Sequence, residues 1–306
     1  MHRRPASGLG LSPSLSRSAG LMLISKGVAL GNDYLVIDAA DLPWPLTPDR
    51  CRAICDRHEG VGSDGILVID VSSGLSLRIL NPDGSEAEKS GNGLRILAAW
   101  LYARGMVRTD WFTVRLISDT VRMRVESEIE DGGVVVRAEM GRASFDAGSV
   151  GFAGSGEIIA QPIVLPDGGT ADITTVSMAN PHCVVFVDRF DRDDFLKRAP
   201  RLCTHEKFAH GTNVQFATVT GPGSLDIHIW ERGVGETLAS GSSACAVAAA
   251  AVRLGLLRPG PIEVRMRGGI ADVEVGDTYG IRLRGPARMV FAARIPPSQV
   301  AAWGRL

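Results

Sequence analysis

Two segments of the chain repeat each other at a constant offset of 150 residues, and nothing else in it restricts the fold as strongly. The first reads Leu75-Ser-Leu-Arg-Ile-Leu-Asn81-Pro-Asp-Gly-Ser-Glu86-Ala-Glu-Lys-Ser90-Gly91-Asn92-Gly93 and runs on into the apolar stretch Leu94 to Leu101. The second reads Leu225-Asp-Ile-His-Ile-Trp-Glu231-Arg232-Gly-Val-Gly-Glu236-Thr-Leu-Ala-Ser240-Gly241-Ser242-Ser243 and runs on into Ala244 to Leu254. Strand, turn, glutamate, serine and helix follow in the same order twice. Outward from this core, Asp38 pairs with Asp188 and Gly105 with Gly255, so about 75 residues of each half are related. A chain built twice can place one chemical group on each side of a substrate held between its halves.

At 306 residues with 45% apolar content, the chain suits two ordinary domains. A formal charge of -1 offers no basic surface for nucleic acid, and no basic amphipathic stretch suggests a membrane face; the expected partner is a small molecule. The five cysteines are an odd number without tight pairing, which reads as reduced, mostly buried thiols. Residues 1–20 are rich in Arg, Ser, Gly and Pro and contain no acid; the apolar run Leu21 to Ile24 is too short for a secretion signal. The segment reads as a disordered tail or an early start, with Met22 beginning the folded part; a transit peptide shares its composition.

Tyr34 to Asp38 and Ile66 to Asp70 are β-branched runs bounded by Gly and Asp and read as strands. Thr47-Pro48 between them predicts a capped helix start. Leu75, Leu77 and Ile79 alternate as a half-buried strand does, and Leu94 to Leu101, apolar almost all round, predicts an enclosed helix ended by Gly105. Further strands are expected at 112–116, 121–125 and 134–138. The second half begins again with strands at 158–165, 183–187 and 214–219, a helix at 192–199 and an alanine-dominated helix at 244–254. Strands at 262–266, 271–275, 280–283 and 288–293 finish the chain. The predicted class is α+β: two pseudo-symmetric domains, each a curled, mostly antiparallel sheet around one buried helix. The halves are read as residues 21–140 and 141–287, with 288–306 a final strand and tail returning to the first domain.

The amides at a helix start are unsatisfied and carry partial positive charge, so Ser90-Gly91-Asn92 and Ser240-Gly241-Ser242 are natural cradles for an anion. Both serines are equally well placed as simple N-caps, the commonest work of serine before a helix. A nucleotide loop is disfavoured, because the run lacks its Gly-Lys-Ser/Thr ending.

Asn81-Pro-Asp-Gly-Ser-Glu-Ala-Glu-Lys-Ser90-Gly-Asn-Gly-Leu-Arg95 resembles the signature of the diaminopimelate epimerases, N-x-D-G-S-x4-C-G-N-G-x-R, at every specified position but one. The exception is Ser90, where the family has its first catalytic cysteine. Gly31-Asn32-Asp33-Tyr34, Asn180-Pro181-His182-Cys183, Asn213, Glu231-Arg232-Gly233 and Gly285-Pro286-Ala287 extend the similarity over about residues 22 to 293. Ser240 stands where the second cysteine belongs, and Lys89 and Ser243 also depart from the usual context.

The resemblance implies that one group removes a proton from one face of the substrate's α-carbon while another returns one to the opposite face, without a cofactor. It implies that Gly91, Asn92, Gly241 and Ser242 hold the reacting carboxylate, and that Asn32, Asn81, Asn180, Asn213, Glu231 and Arg232 hold the distal amino-acid end. Each has a plainer reading too: turn-bordering asparagines, a surface Glu–Arg pair, and a satisfied core histidine at His182. Gly65 occupies a position where some members have glutamine. The resemblance also implies a cytoplasmic homodimer in lysine biosynthesis.

Serine is on the order of five units less acidic than cysteine, a gap of roughly 7 kcal/mol or about 10⁵ in rate. Compensation requires a base touching each serine, and Glu86, Glu236, Glu231 and His182 are the candidates. The expected function is therefore an amino-acid epimerase, with Ser90, Ser240, Glu231 and His182 as catalytic candidates. The alternatives are a weak or inactive homologue that binds a diamino diacid, or an isomerase or dehydratase of another amino acid.

Overall fold

The computed structural model describes residues 22–166 and 168–306. The tail expected over residues 1–20 lies outside the described residues. The two halves carry the same strand pairing. In the first, Met22–Ala29 lies antiparallel to Asn32–Asp38, which is parallel to Ile66–Asp70; that strand is antiparallel to Ser76–Leu80, which meets Phe112–Arg115 in parallel. In the second, Thr170–Ser177 lies antiparallel to Pro181–Phe186, which is parallel to Asn213–Gly221; that strand is antiparallel to Ser224–Glu231, which is parallel to Gly260–Met266. Antiparallel neighbours complete each half: Thr120–Glu128 with Val134–Arg142, and Gly269–Val275 with Gly280–Ile295. The architecture is α+β, as the alternating runs and two enclosed helices predict.

Among the described residues, five α-helices accompany the strands: α1 (Pro48–Cys55), α2 (Gly91–Ala103), α3 (Arg192–Cys203), α4 (Gly241–Arg253) and α5 (Pro297–Gly304). Thr47 caps α1 by accepting from the Arg50 amide, and Asp191 caps α3 by accepting from that of Asp194. Gly105 and Gly255, at φ of 70° and 72°, let the chain leave α2 and α4 through the left-handed region. The residues of α2 and α4 belong to one continuous apolar core with strands from both halves. Helix α3 closes a second core on the outer side of one half, and α1 with α5 closes a third on the other. All five cysteines are free and buried.

The last strand differs from the sequence reading. Gly280–Ile295 is one 16-residue strand rather than two, because partners lie along its whole length. Its beginning pairs with Gly269–Val275 and Val134–Arg142, and its end with Met22–Ala29, so one strand ties the two halves together. The strand expected over 158–165 shortens to Gln161–Val164, since Ala160 sits at a φ of 44° and breaks the extended run. Strand Thr170–Ser177 and helix α5 were not anticipated. The first alternates only over its first four residues and is buried on both faces from Ile173 to Val176, which leaves too short a periodic run to read; the second is held from outside itself, with Arg50 Nε donating to the Trp303 carbonyl at 3.0 Å.

Helices α2 and α4 meet start to start. A Cβ added at Gly241 would stand 2.9 Å from the Gly91 Cα, and one at Gly91 would stand 3.0 Å from the Gly241 Cα. Two facing glycines permit this approach: either Cβ would meet the opposite backbone, which cannot swing aside, as well as the Leu283 side chain. Gly241→Ala is expected to destabilise the protein by about 2 kcal/mol, the cost of pushing a packed backbone apart, as read by urea unfolding. An unchanged midpoint would show that the helix starts are free to separate.

Candidate active site

The contact between Gly91 and Gly241 brings two positive helix ends to one place, with Ser90 and Ser240 immediately before them. Each serine adopts extended backbone and then enters its helix, as an N-cap does. Gly91, Asn92, Gly241 and Ser242 are buried at this junction. Asn92 ties the halves together: its Nδ2 lies 3.3 Å from both the Asn32 side-chain oxygen and the Ala239 carbonyl.

The two serines have unequal surroundings. Ser90 Oγ accepts the Gly93 amide at 3.1 Å and lies 3.4 Å from the Tyr34 hydroxyl. Ser240 makes no capping bond; its hydroxyl is 3.4 Å from that of Ser242. Ser240 also contacts Glu231, whose carboxyl is shifted upward by burial, with the Ser240 hydrogen bond opposing the shift and the Asp64 charge adding to it. A carboxylate that leaves water reluctantly is a stronger base than one at the surface.

The glutamates four residues upstream of the serines turn elsewhere. Glu86 pairs with Arg78 at 2.9 Å, and Glu236 with Arg192 and Arg267, each at 2.8 Å. Lys89 reaches the Met140 carbonyl and Asp119. His182 is fully buried, and burial lowers its pKa to about 3 against the opposing Gln215 hydrogen bond, so the ring is neutral. Its Nδ1 lies 3.1 Å from Gln215 Nε2 and its Nε2 lies 2.9 Å from the Asn180 side-chain oxygen. Both ring nitrogens are thus occupied. The structure does not bring His182 to a serine as the sequence reading expected: its ring nitrogens meet Gln215 and Asn180 instead.

The remaining site residues form short chains of contacts. Asn180 Nδ2 approaches Ser242 Oγ at 3.4 Å. Asn213 donates to the Pro181 carbonyl at 3.1 Å and accepts the Arg232 amide at 3.0 Å, while Arg232 Nη1 donates to the His210 carbonyl at 2.9 Å. Asn32 Nδ2 donates to Asp64 at 2.6 Å. Asp64 and Asp33 share Arg57, and Asp33 also meets Lys26 at 2.6 Å, which pins the turn that carries Asn32. Asn81 donates to Ser85 at 2.9 Å, within its own turn.

Three residues without an assigned role in the sequence reading matter here. Arg95 lies entirely buried in α2; burial lowers its pKa to about 10, leaving it charged at neutral pH. Its Nη2 donates to Asn92 Oδ1 at 2.5 Å, placing a cation beneath the helix starts. One arginine in an otherwise apolar helix was the available signal. Gln215, a buried amide between Val214 and Phe216, orients His182. Tyr34 fills the space beside Gly65, where an added Cβ would stand 2.9 Å from its ring and 2.5 Å from the Leu80 carbonyl. A glutamine at position 65, as the resemblance implies for some members, has no room here. Among the described residues, no cluster of three or more His, Cys, Asp or Glu could hold a metal ion, and no helix is long and apolar enough to cross a membrane.

Two related halves meeting at paired helix starts define an architecture that can present one group to each side of a small molecule held between them. The sequence profile of diaminopimelate epimerase matches residues 24–145 and 174–290. Diaminopimelate epimerase 2 of Nostoc sp. is 42% identical over 265 residues, covering 86% of this chain and 91% of its own. The diaminopimelate epimerase of Pelotomaculum thermopropionicum is 36% identical over 281 residues, covering 90% and 99%. A hydroxyproline epimerase from Agrobacterium vitis, solved with bound trans-4-hydroxy-L-proline, shares the fold with a TM-score of 0.67 at 14% identity, over 90% of this chain and 91% of that one. The chain belongs to the diaminopimelate epimerase family.

Proposed function

We propose that this protein is a cofactor-independent epimerase that interconverts LL- and meso-diaminopimelate, a step of lysine biosynthesis, with Ser90 and Ser240 as its two acid/base groups. The observation that carries this reading is the abutment of α2 and α4 at Gly91 and Gly241, which aims two sets of free amides at one position. There the amides of Gly91, Asn92, Gly241 and Ser242 bind the reacting carboxylate. As the α-proton leaves, negative charge spreads onto that carboxylate, where the amides and the buried Arg95 charge stabilise it most. Ser240 takes the proton and passes its own to Glu231; Ser90 protonates the opposite face. Asn32, Asn81, Asn180, Asn213 and Arg232 grip the distal amino-acid end, with His182 holding Asn180 in place and Glu231 given to Ser240 instead of the distal grip. A cytoplasmic homodimer is part of the proposal, and light scattering on the eluted protein tests the dimer.

One observation favours a second reading. Both acid/base positions hold hydroxyls rather than thiols, which suits a homologue that grips a diamino diacid without turning it over. Incubation with either diaminopimelate stereoisomer in deuterium oxide, followed by NMR, separates the two. Slow α-deuteration with a drift in isomer ratio is the expected result. Binding with no α-deuterium after days would establish the second reading and refute the first.

A further inference from the structure

We propose that Tyr34 is a positioning residue for the epimerase chemistry, donating its phenolic hydrogen to Ser90 Oγ and thereby making Ser90 the proton-donating arm of the site. The inference rests on the epimerase reading and extends it to a residue outside the paired serines.

Tyr34 sits on Asn32–Asp38, is 7% exposed, and carries its hydroxyl to 3.4 Å from Ser90 Oγ. That is a long hydrogen bond, of the kind that tightens when a catalytic site closes on its substrate. The ring is set by Gly65, which leaves no Cβ in its way, and by the ion-paired turn at Asp33. Ser90 Oγ already accepts the Gly93 amide. With the phenol as a second donor, both acceptor positions are taken, and the serine's own hydrogen is left to point into the site. Ser240 has the opposite environment, with a carboxylate beside it and no amide capping bond.

The asymmetry gives a balanced proton inventory. Ser240 Oγ takes the α-proton while its own hydrogen passes to Glu231, which becomes the neutral acid. Ser90 Oγ–H delivers its proton to the opposite face, forming the new Cα–H bond. The phenol hydrogen follows to Ser90 Oγ, and the negative charge settles on the Tyr34 oxygen, because a phenol is more acidic than a serine hydroxyl. One protein group gains a proton and another loses one, and exchange with water restores both. Tyr34 begins each cycle as the neutral phenol: burial, together with the Glu231, Asp64 and Asp33 charges, pushes its pKa to about 12 against the Ser90 hydrogen bond.

The test compares kcat and KM for wild type, Tyr34→Phe, Ser90→Cys and Ser90→Cys/Tyr34→Phe with diaminopimelate. Tyr34→Phe removes one oxygen and keeps the ring, so the fold stays intact. It is expected to lower kcat roughly 100-fold with KM unchanged. In the Ser90→Cys background the same change is expected to cost several-fold at most, since a thiol gives up its proton without a phenol behind it. A kcat unaffected by Tyr34→Phe, or equal losses in both backgrounds, would overturn the proposal while leaving the epimerase reading intact. Absence of α-proton exchange in both wild type and the Ser90→Cys/Ser240→Cys variant would instead remove the epimerase reading, and the phenol's role with it.

Discussion

Replacing Ser90 and Ser240 together with cysteine is expected to raise the rate of diaminopimelate epimerisation by at least 10³, toward a ceiling of about 10⁵. The ceiling is the acidity gap between serine and cysteine, on the order of five units at 1.36 kcal/mol each. The gain should be large because the rest of the site is assembled: the helix starts already abut, Arg95 already lies beneath Asn92, and Glu231 already contacts Ser240. The lower figure of 10³ allows for the part of the gap that Glu231 and Tyr34 would recover for the native serines in their proposed roles. A single replacement should gain much less, because turnover needs a base on one face and an acid on the other. The measurement is steady-state isomerisation followed by NMR. A double-cysteine variant no faster than wild type, yet still binding substrate, would show that the hydroxyls are not the limiting groups.

Arg232→Ala is expected to weaken diaminopimelate binding roughly 100-fold, about 3 kcal/mol, by titration calorimetry. A guanidinium facing a carboxylate makes two parallel charge-assisted bonds, and alanine removes both. The backbone at this position is held independently, because the Arg232 amide donates to Asn213 and not through the side chain. Loss of affinity should therefore come without loss of fold. Arg232→Lys should recover only part of the binding, since an ammonium keeps the charge and loses the planar fork. Unchanged affinity in Arg232→Ala would show that the distal end of the substrate is gripped elsewhere.

The halves, their matching order of elements and the caps at Thr47 and Ser90 were all readable from the chain, because each depends on residues a few positions apart. A serine before a helix, a glycine after it and alternation along a strand act through local backbone geometry, which sequence spacing states directly. The role of each polar side chain was decided by the tertiary structure. Glu86 and Glu236 sit at equivalent places beside their serines in sequence, yet arginines on neighbouring elements claim them both. His182 pairs with Gln215 across a parallel strand pair, and Tyr34 reaches Ser90 from 56 residues away. The adjacency of Gly91 and Gly241 likewise arises only when the halves close on a common core. Local spacing sets where a chain turns and caps. A hydrogen bond or charge pair also needs a partner within about 3 Å, and that partner depends on which strands lie side by side.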